Sequence, residues 1–143
     1  MDKILTLEFS GLPPTLNQMY RNSVTHRYKR PEVTDWQEEI ADLMTEHYPA
    51  ECPPYTGRVS VSIIFTVSDR RAWDIDNRVK ALLDCLEMGG IIANDNQIDK
   101  LTVTRHKGNK TSTRITLMEY KERISMREIN TYRHAEKCLR GYK

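Results

Sequence analysis

The amino-acid sequence predicts a single α+β domain: a mixed β-sheet of about four strands with two packed helices, followed by a further helix near the C-terminus. Four short runs alternate apolar and polar residues, which is the period of a half-buried strand. Two longer stretches repeat apolar residues every three or four positions, as amphipathic helices do. A chain of 143 residues is long enough to form one domain with its own core.

The predicted strands cover residues 4–9, 58–67, 98–106 and 113–119. The second is the clearest, because every other position in it is apolar. Residues 107–110 are a turn signal between the last two strands. We therefore expect the apolar residues of these two strands to face each other, namely Leu101, Val103, Ile115 and Leu117.

The first of the two packed helices is predicted to begin at Thr34, because Thr34 and Gln37 have the spacing of a capping box. Pro49 marks its end. Its apolar stripe is expected to pack into the core and comprises Trp36, Ile40, Leu43, Met44 and His47.

The second helix is predicted over residues 76–87, because the pair Gly89 and Gly90 stops it. Its apolar stripe is expected to face the core and comprises Ile75, Val79, Leu82, Leu83 and Leu86.

Beyond residue 120 the composition becomes strongly charged, and Ser125 and Glu128 form another capping-box pattern. This pattern predicts a basic helix that extends to about residue 140. Two interpretations stay open: a tail that docks or contacts DNA, and a solvated amphipathic helix. We therefore predict a domain at residues 1–120 and a basic helical extension at residues 121–143.

The net charge excludes no class of binding partner, because 22 Lys and Arg residues and 20 Asp and Glu residues leave a formal net charge of +2. That value does not by itself indicate nucleic acid as a partner. No apolar run has the length of a membrane span, and the apolar segment at the N-terminus is too short for a signal peptide. We therefore expect a cytoplasmic protein with no membrane partner, whose three widely spaced cysteines are reduced.

Two carboxylates and a lysine, Asp74, Asp76 and Lys80, lie at the predicted start of the second helix. An Asp there is explained by N-capping and by the helix dipole. Asp76 and Lys80 also have the i,i+4 spacing of a surface ion pair, worth a few tenths of a kcal/mol. On these residues alone, a structural role and a catalytic role both stay open.

A further carboxylate, Asp95, follows the apolar pair at residues 91–92, which should fold the chain back onto the core. This return is expected to bring Asp95 beside the helix start. Three clustered carboxylates require a cation, and hard oxygen ligands favour Mg²⁺ or Mn²⁺. A lysine beside them suits a phosphate, so the pattern indicates metal-assisted hydrolysis of a phosphodiester.

Residues 17–30 form the most basic stretch of the chain and contain no acidic residue. Arg and Lys interleaved with Tyr and Asn suit phosphate contacts and base stacking, although a solvated loop has the same composition. The candidate DNA-binding residues here are Asn17, Tyr20, Arg21, Arg27, Lys29 and Arg30. Arg70 and Arg71, just before Asp74, add a second place that can grip a phosphate.

The ordered set of Asp74-Ile75-Asp76-Asn77, Lys80, Asp84 and Asn94-Asp95 resembles the RusA family of Holliday junction resolvases. The opening segment at residues 12–21, with its Pro-Pro-x-x-Asn pattern, is similar to that family too, so the resemblance covers about residues 1–120. It implies an α+β homodimer that acts as a Mg²⁺-dependent endonuclease and nicks four-way DNA junctions symmetrically. It further implies three metal-binding catalytic carboxylates and a catalytic lysine, namely Asp74, Asp76, Asp95 and Lys80.

The sequence departs from the family pattern at Asn94, where the family commonly has an acid beside Asp95. Asn94 offers a carbonyl oxygen but no charge, so Asp95 alone supplies the third carboxylate. Two other interpretations stay open: a non-catalytic binder of branched or single-stranded nucleic acid, and a Mg²⁺-dependent hydrolase of another structured nucleic acid. An acid cluster favours an enzyme over a binder, because carboxylates without a metal repel phosphate. Paired nicks by a chain with one such cluster would require a homodimer.

Overall fold

The computed structural model describes residues 2–22, 27–49, 51–69 and 73–121, which form one α+β domain. Its strands are, in chain order, β1 (Lys3–Ser10), β2 (Tyr20–Asn22), β3 (Arg27–Lys29), β4 (Val59–Val67), β5 (Ile98–Lys107) and β6 (Ser112–Glu119). Its α-helices are α1 (Leu16–Met19), α2 (Pro31–His47) and α3 (Val79–Met88), and its 3₁₀ helices are Ile75–Arg78 and Asp95–Gln97. The four predicted strands and both predicted packed helices are therefore confirmed, with bounds shifted by a few residues.

The core is a four-stranded mixed sheet in the order β1-β6-β4-β5. β4 lies inside it, antiparallel to β6 and parallel to β5. The apolar positions of β4 alternate strictly with polar ones, and Val61, Ile63 and Phe65 are fully buried. β4 is therefore hydrogen-bonded along both of its edges, and its alternation gives it one face that packs into the core.

The prediction that the apolar residues of β5 and β6 face each other was wrong, because β4 lies between these strands. Val61 pairs with Leu101 on one side and with Leu117 on the other. The turn between β5 and β6 passes over the end of β4, where the Gly108 N–H donates to the Val67 carbonyl oxygen at 2.9 Å. A side chain at Gly108 would collide with Thr66, so the glycine permits this close crossing.

Helix α2 begins at Pro31, three residues before the predicted capping box at Thr34. Pro is favoured at the first helical position, because the N–H that it lacks would have no partner inside the helix. Thr34 instead donates its hydroxyl to the Arg30 carbonyl oxygen. The predicted stripe is confirmed at Ile40 and Met44, which are buried.

Two residues of the predicted apolar stripes lie outside the core. His47, in the last turn of α2, is exposed, and its Nδ1 lies 2.9 Å from the Leu43 carbonyl oxygen. Ile75 is 36% exposed. It belongs to a 3₁₀ helix with three residues per turn, so it does not continue the stripe of α3.

Helix α3 packs against α2 and the sheet through Val79, Leu82 and Leu86, as predicted. Cys85 is fully buried between the two helices, and this burial raises the pKa of its thiol to about 12. The thiol is therefore protonated at neutral pH and unsuited to act as a nucleophile. Gly89 ends α3, and Gly90 adopts a φ of 69°, so the predicted stop is confirmed.

The predicted basic helix lies outside the described residues, and the division of the chain at residue 120 stays a prediction. Within residues 2–22, 27–49, 51–69 and 73–121, no helix is long and apolar enough to cross a membrane.

Candidate active site

Lys80 lies in the first turn of α3 and joins two separate segments of the chain. Its Nζ lies 2.7 Å from Asp84 Oδ1 and 3.4 Å from Asp95 Oδ2. The hydrogen bond to Asp84 raises the pKa of Lys80, and the charges of Asp84 and Asp95 add to this effect, whereas burial opposes it. Lys80 is therefore positively charged at neutral pH, and the expected return of Asp95 toward the helix start is confirmed.

Asp76 lies in the 3₁₀ helix Ile75–Arg78 and lines the same surface depression as Lys80. The depression has a volume of about 470 Å³. Its remaining walls are apolar and comprise Ile75, Val79, Leu83, Leu101 and Val103. The acid and the lysine are thus presented at the rim of an apolar surface.

Asp74 precedes this 3₁₀ helix and occupies its N-cap position. Its backbone oxygen accepts a hydrogen bond from the Asn77 N–H at 3.1 Å, but its side chain makes no capping hydrogen bond in the described part of the chain. The N-capping explanation for this carboxylate therefore lacks its defining contact.

The turn that carries Asp95 is held by contacts on both sides. The Asp95 N–H donates to Glu87 Oε1 at 2.7 Å, which ties the turn to the end of α3. Asn94 Oδ1 accepts from the Asn96 N–H at 2.9 Å, so Asn94 caps the short helix Asp95–Gln97. The carbonyl oxygen of Asn94, suggested by the sequence as a ligand, thus already has a structural partner.

Gln97 is 5% exposed and holds this turn through hydrogen bonds to the backbone. Its Oε1 accepts from the backbone N–H groups of Ala93 and Asn94, both at 2.8 Å. Its Nε2 donates to the carbonyl oxygens of Tyr55 at 2.7 Å and Gly57 at 2.9 Å. The side chain therefore uses its full hydrogen-bonding capacity and joins the two residues before Asp95 to the segment at Tyr55 and Gly57.

Sequence reasoning missed Gln97 as a supporting residue of the site and did not connect Glu87 with Asp95. One signal was present, because Asn94 and Gln97 have capping-box spacing, and the structure contains that capping box. No comparable pattern marks the contact between Glu87 and the Asp95 backbone.

The oxygen ligands of the site fit a hard divalent cation, because Mg²⁺ binds oxygen atoms and Asp74, Asp76 and Asp95 are carboxylates. Across residues 2–22, 27–49, 51–69 and 73–121, no group of three His, Cys, Asp or Glu side chains forms a metal site. The ligand set Asp74, Asp76 and Asp95 therefore stays a prediction.

Part of the predicted DNA-binding segment forms a second surface. Asn17, Tyr20 and Arg27 line a depression of about 260 Å³. The guanidinium of Arg27 lies 4.0 Å from the centroid of the Tyr20 ring, in a cation–π contact. The structure thus brings together three of the residues selected from the sequence.

Lys29 connects this segment to the active-site helix. Its Nζ donates to Gln37 Oε1 at 2.7 Å, and Gln37 Nε2 donates to the Ala81 carbonyl oxygen in α3 at 3.0 Å. Lys29 is therefore held by an inward contact. The side chain of Arg21, and all of Arg70 and Arg71, lie outside the described part of the chain.

Comparisons with known proteins agree on one family. A family model described as Endodeoxyribonuclease RusA matches residues 11–118. The chain is 35% identical over 95 residues to the crossover junction endodeoxyribonuclease RusA of Aquifex aeolicus, covering 66% of this chain and 74% of that protein. It is 27% identical over 111 residues to the crossover junction endodeoxyribonuclease of Enterobacteria phage HK97, covering 75% of this chain and 90% of that protein. This chain therefore belongs to the RusA family of endodeoxyribonucleases.

Proposed function

We propose that this protein is a Mg²⁺-dependent endodeoxyribonuclease that resolves four-way DNA junctions by paired, symmetric nicks. The observation that carries the proposal is the convergence of Lys80 and Asp95, 3.4 Å apart, beside the depression that Asp76 lines. Family membership and the names of the two relatives support the same reaction and the same branched substrate.

Asp74, Asp76 and Asp95 are the residues that would hold the metal ion. When bound, Mg²⁺ supplies an activated water and stabilises charge on the phosphate oxygens. Asp95 sits on a turn that is fixed by Glu87 and Gln97, so its carboxylate is presented from a rigid backbone position. Such support is what a catalytic carboxylate requires to keep its geometry during the reaction.

Lys80 is proposed to bind the scissile phosphate. A lysine ammonium has three N–H donors, and two of these are directed at Asp84 and Asp95. The third remains for a phosphate oxygen, whose negative charge grows as the phosphodiester is hydrolysed. Lys80 therefore stabilises the transition state more than the bound substrate.

The basic segment is proposed to position the DNA. Asn17, Tyr20 and Arg27 share one depression, where an aromatic ring and a guanidinium suit a base and a phosphate. Lys29 and Arg30, which follow Arg27 in the chain, are proposed to contact the same DNA, and Arg30 is the N-cap residue of α2. Arg21, Arg70 and Arg71 are assigned to the same role from the sequence.

A homodimer is proposed because two nicks of like polarity require two acidic sites related by a two-fold axis. The surface around β5 suits the contact between copies. β5 pairs with β4 and forms the outer edge of the sheet in the described part of the chain, so its other edge can meet a second copy. Sedimentation at micromolar concentration should give about twice the chain mass.

The proposal is tested with a synthetic four-way junction that carries a different label on each strand. Purified protein with Mg²⁺ should nick two strands of like polarity at related positions, and the same protein with EDTA should not. A linear duplex of the same sequence is the matched substrate control. Junction binding without any cleavage in Mg²⁺ or Mn²⁺ would contradict the proposal and leave a non-catalytic binder of branched DNA.

A further inference from the structure

Two arginines share an unusual feature and a common cavity. Within the described part of the chain, the buried side-chain nitrogen or oxygen atoms without a hydrogen-bond partner are Arg30 Nε and Arg78 Nε. Both arginines line one cavity of about 490 Å³ between α2 and the segment that precedes α1. The Nε atoms themselves have almost no accessible surface, so a ligand in the cavity would be bound through the terminal N–H groups of the two arginines, which suit an anion with acceptor oxygens.

Arg78 is held in place without such a ligand. Its Nη1 donates to the Pro13 carbonyl oxygen at 2.7 Å, and its guanidinium lies 5.2 Å from the centroid of the Trp73 ring. Burial lowers the pKa of Arg78, and the charge of Asp69 opposes that effect. The guanidinium is thus preorganised and partly desolvated, which strengthens its attraction for an anion.

The walls of the cavity define the rest of the ligand. Leu12, Val33 and Trp36 supply apolar and aromatic surface beside the two guanidinium groups. A volume of about 490 Å³ lies within the range of about 300–1,000 Å³ that is usual for small-molecule sites. The cavity therefore offers guanidinium groups that suit a phosphate and an aromatic wall that suits a flat apolar group, which together describe a nucleotide.

We propose that this Arg30/Arg78 pocket binds one unstacked nucleotide of the DNA substrate, with its phosphate on the two arginines and its base against Trp36. Arg78 lies two residues from Asp76 in the same 3₁₀ helix, which links the pocket to the proposed site of cleavage through the backbone. The inference rests on the proposed function, because it takes the ligand from the junction. It adds a site at which a single base leaves the stack and is held while the strand is cut.

Glu32 lines the same cavity and supplies an opposing charge. It lies in the first turn of α2 and is exposed, so its removal should leave the core intact. Glu32→Gln is therefore expected to tighten phosphate binding severalfold. This gain-of-affinity variant keeps the proposal testable if changes at Arg78 prevent folding.

Direct binding is measured on the whole chain by following the two tryptophan indole N–H signals in NMR spectra. The probes are a single-stranded trinucleotide, the same trinucleotide with an abasic central position, and inorganic phosphate. The intact trinucleotide should shift the Trp36 signal more than the Trp73 signal. The abasic form should bind about tenfold more weakly, because it lacks the base that contacts the aromatic wall.

Substitutions of the two arginines test whether this pocket is where the trinucleotide binds. Arg78→Lys and Arg30→Lys keep the charge but lose the planar fork, so each should weaken trinucleotide binding about tenfold. Arg114→Gln is the matched control, because Arg114 is exposed on β6 and pairs with Glu8 away from the cavity. It should leave the Trp36 shift and the affinity unchanged.

Three results would overturn the inference: an unmoved Trp36 signal, equal effects of the Arg78 and Arg114 variants, or equal affinity for the intact and abasic probes. The last would leave an anion site only. Junction cleavage, measured separately, distinguishes the two proposals. If Arg30→Lys and Arg78→Lys cleave junctions normally and the Trp36 signal does not shift, the pocket proposal alone is refuted. If the Trp36 signal shifts specifically but the protein cuts no junction, the endonuclease proposal alone is refuted.

Discussion

The acidic site and the basic segment are each tied to the core by one buried glutamine, but the two glutamines differ in their partners. Gln97 bonds only to backbone groups, and in this way it fixes the turn that carries Asp95. Gln37 bonds to the backbone of Ala81 on one side and to the charged side chain of Lys29 on the other. The acidic site is therefore supported as a rigid backbone position, whereas the basic segment is supported through a side chain that can exchange partners.

This difference matches what the two regions must do. Catalytic carboxylates lose rate when they are displaced by as little as about 1 Å, so rigid support is favoured. Phosphate contacts act largely through charge and tolerate adjustment along the DNA backbone. Variants should therefore separate into those that change the rate of cleavage and those that change DNA affinity.

The largest effect is expected at Asp76. Asp76→Asn should lower single-turnover cleavage on the order of 10³-fold or more, because a neutral amide replaces a charged metal ligand. Junction affinity should stay the same or increase, since one source of phosphate repulsion is gone. Gel-shift titration and single-turnover nicking on the same junction measure the two quantities.

Glu8→Gln is the matched control for Asp76→Asn, because Glu8 is an exposed acid that pairs with Arg114 at the opposite side of the sheet. Full activity in Asp76→Asn, or cleavage by the unmodified protein in EDTA, would remove the metal mechanism.

The next largest effect is expected at Lys80. Lys80→Ala should lower the cleavage rate by about 10²- to 10³-fold, because one cation that stabilises transition-state charge is worth about 3–4 kcal/mol. DNA affinity should change by less than about threefold, since one partly exposed charge contributes little to overall binding. Lys110→Ala, at an exposed turn, is the control. An unchanged rate in Lys80→Ala would make Lys80 a surface ion-pair partner of Asp84.

Local sequence patterns predicted much of this site for identifiable reasons. The stop at Gly89 and Gly90, followed by two buried isoleucines, leaves the chain little choice but to return along α3, which brings Asp95 to Lys80. The start of α2 was missed because Pro31 sets the helix start upstream of an equally good capping pattern at Thr34.

Contacts between distant segments could not be predicted from local sequence patterns. A turn at Gly108 looks the same whether its two strands pair with each other or lie on either side of a third. The roles of Gln37 and Gln97 depend on which backbone groups arrive from distant segments, and a lone glutamine carries no signal of that burial. The approach of Asp95 to Lys80 was thus predictable, but the groups that hold the Asp95 turn and Lys29 were not.

A smaller effect is expected from the basic segment. Changing Arg27, Lys29 and Arg30 together to Gln should weaken junction binding by up to about 10²-fold at 0.1 M salt. The slope of log affinity against log salt should decrease by about one unit for each phosphate that the variant no longer binds. A control triple at Lys107, Lys110 and Arg114 removes the same charge elsewhere. Equal slopes for the two triples would mean that the basic segment is a solvated surface that binds no phosphates.

The smallest effects, about tenfold, come from the two glutamines, and they test the comparison directly. Gln97→Met keeps the shape but leaves buried backbone groups around Asp95 unpaired, which costs about 1–3 kcal/mol of folding free energy for each unsatisfied group. The loosened turn should lower the cleavage rate about tenfold at unchanged DNA affinity. Gln37→Met instead removes the link between Lys29 and α3, so the basic segment must be ordered when DNA binds. DNA affinity should therefore fall about three- to tenfold, while the cleavage rate stays unchanged.

Thermal unfolding of both variants separates these outcomes from a general loss of structure, because each leaves buried groups unpaired and both should unfold at lower temperature. Cleavage and binding are then measured well below the lower transition. The comparison predicts a crossed pattern, in which each variant impairs one quantity and spares the other. Parallel losses of rate and affinity in both variants would mean that α2, α3 and the Asp95 turn respond as one unit, and that the acidic site and the basic segment are not separately supported.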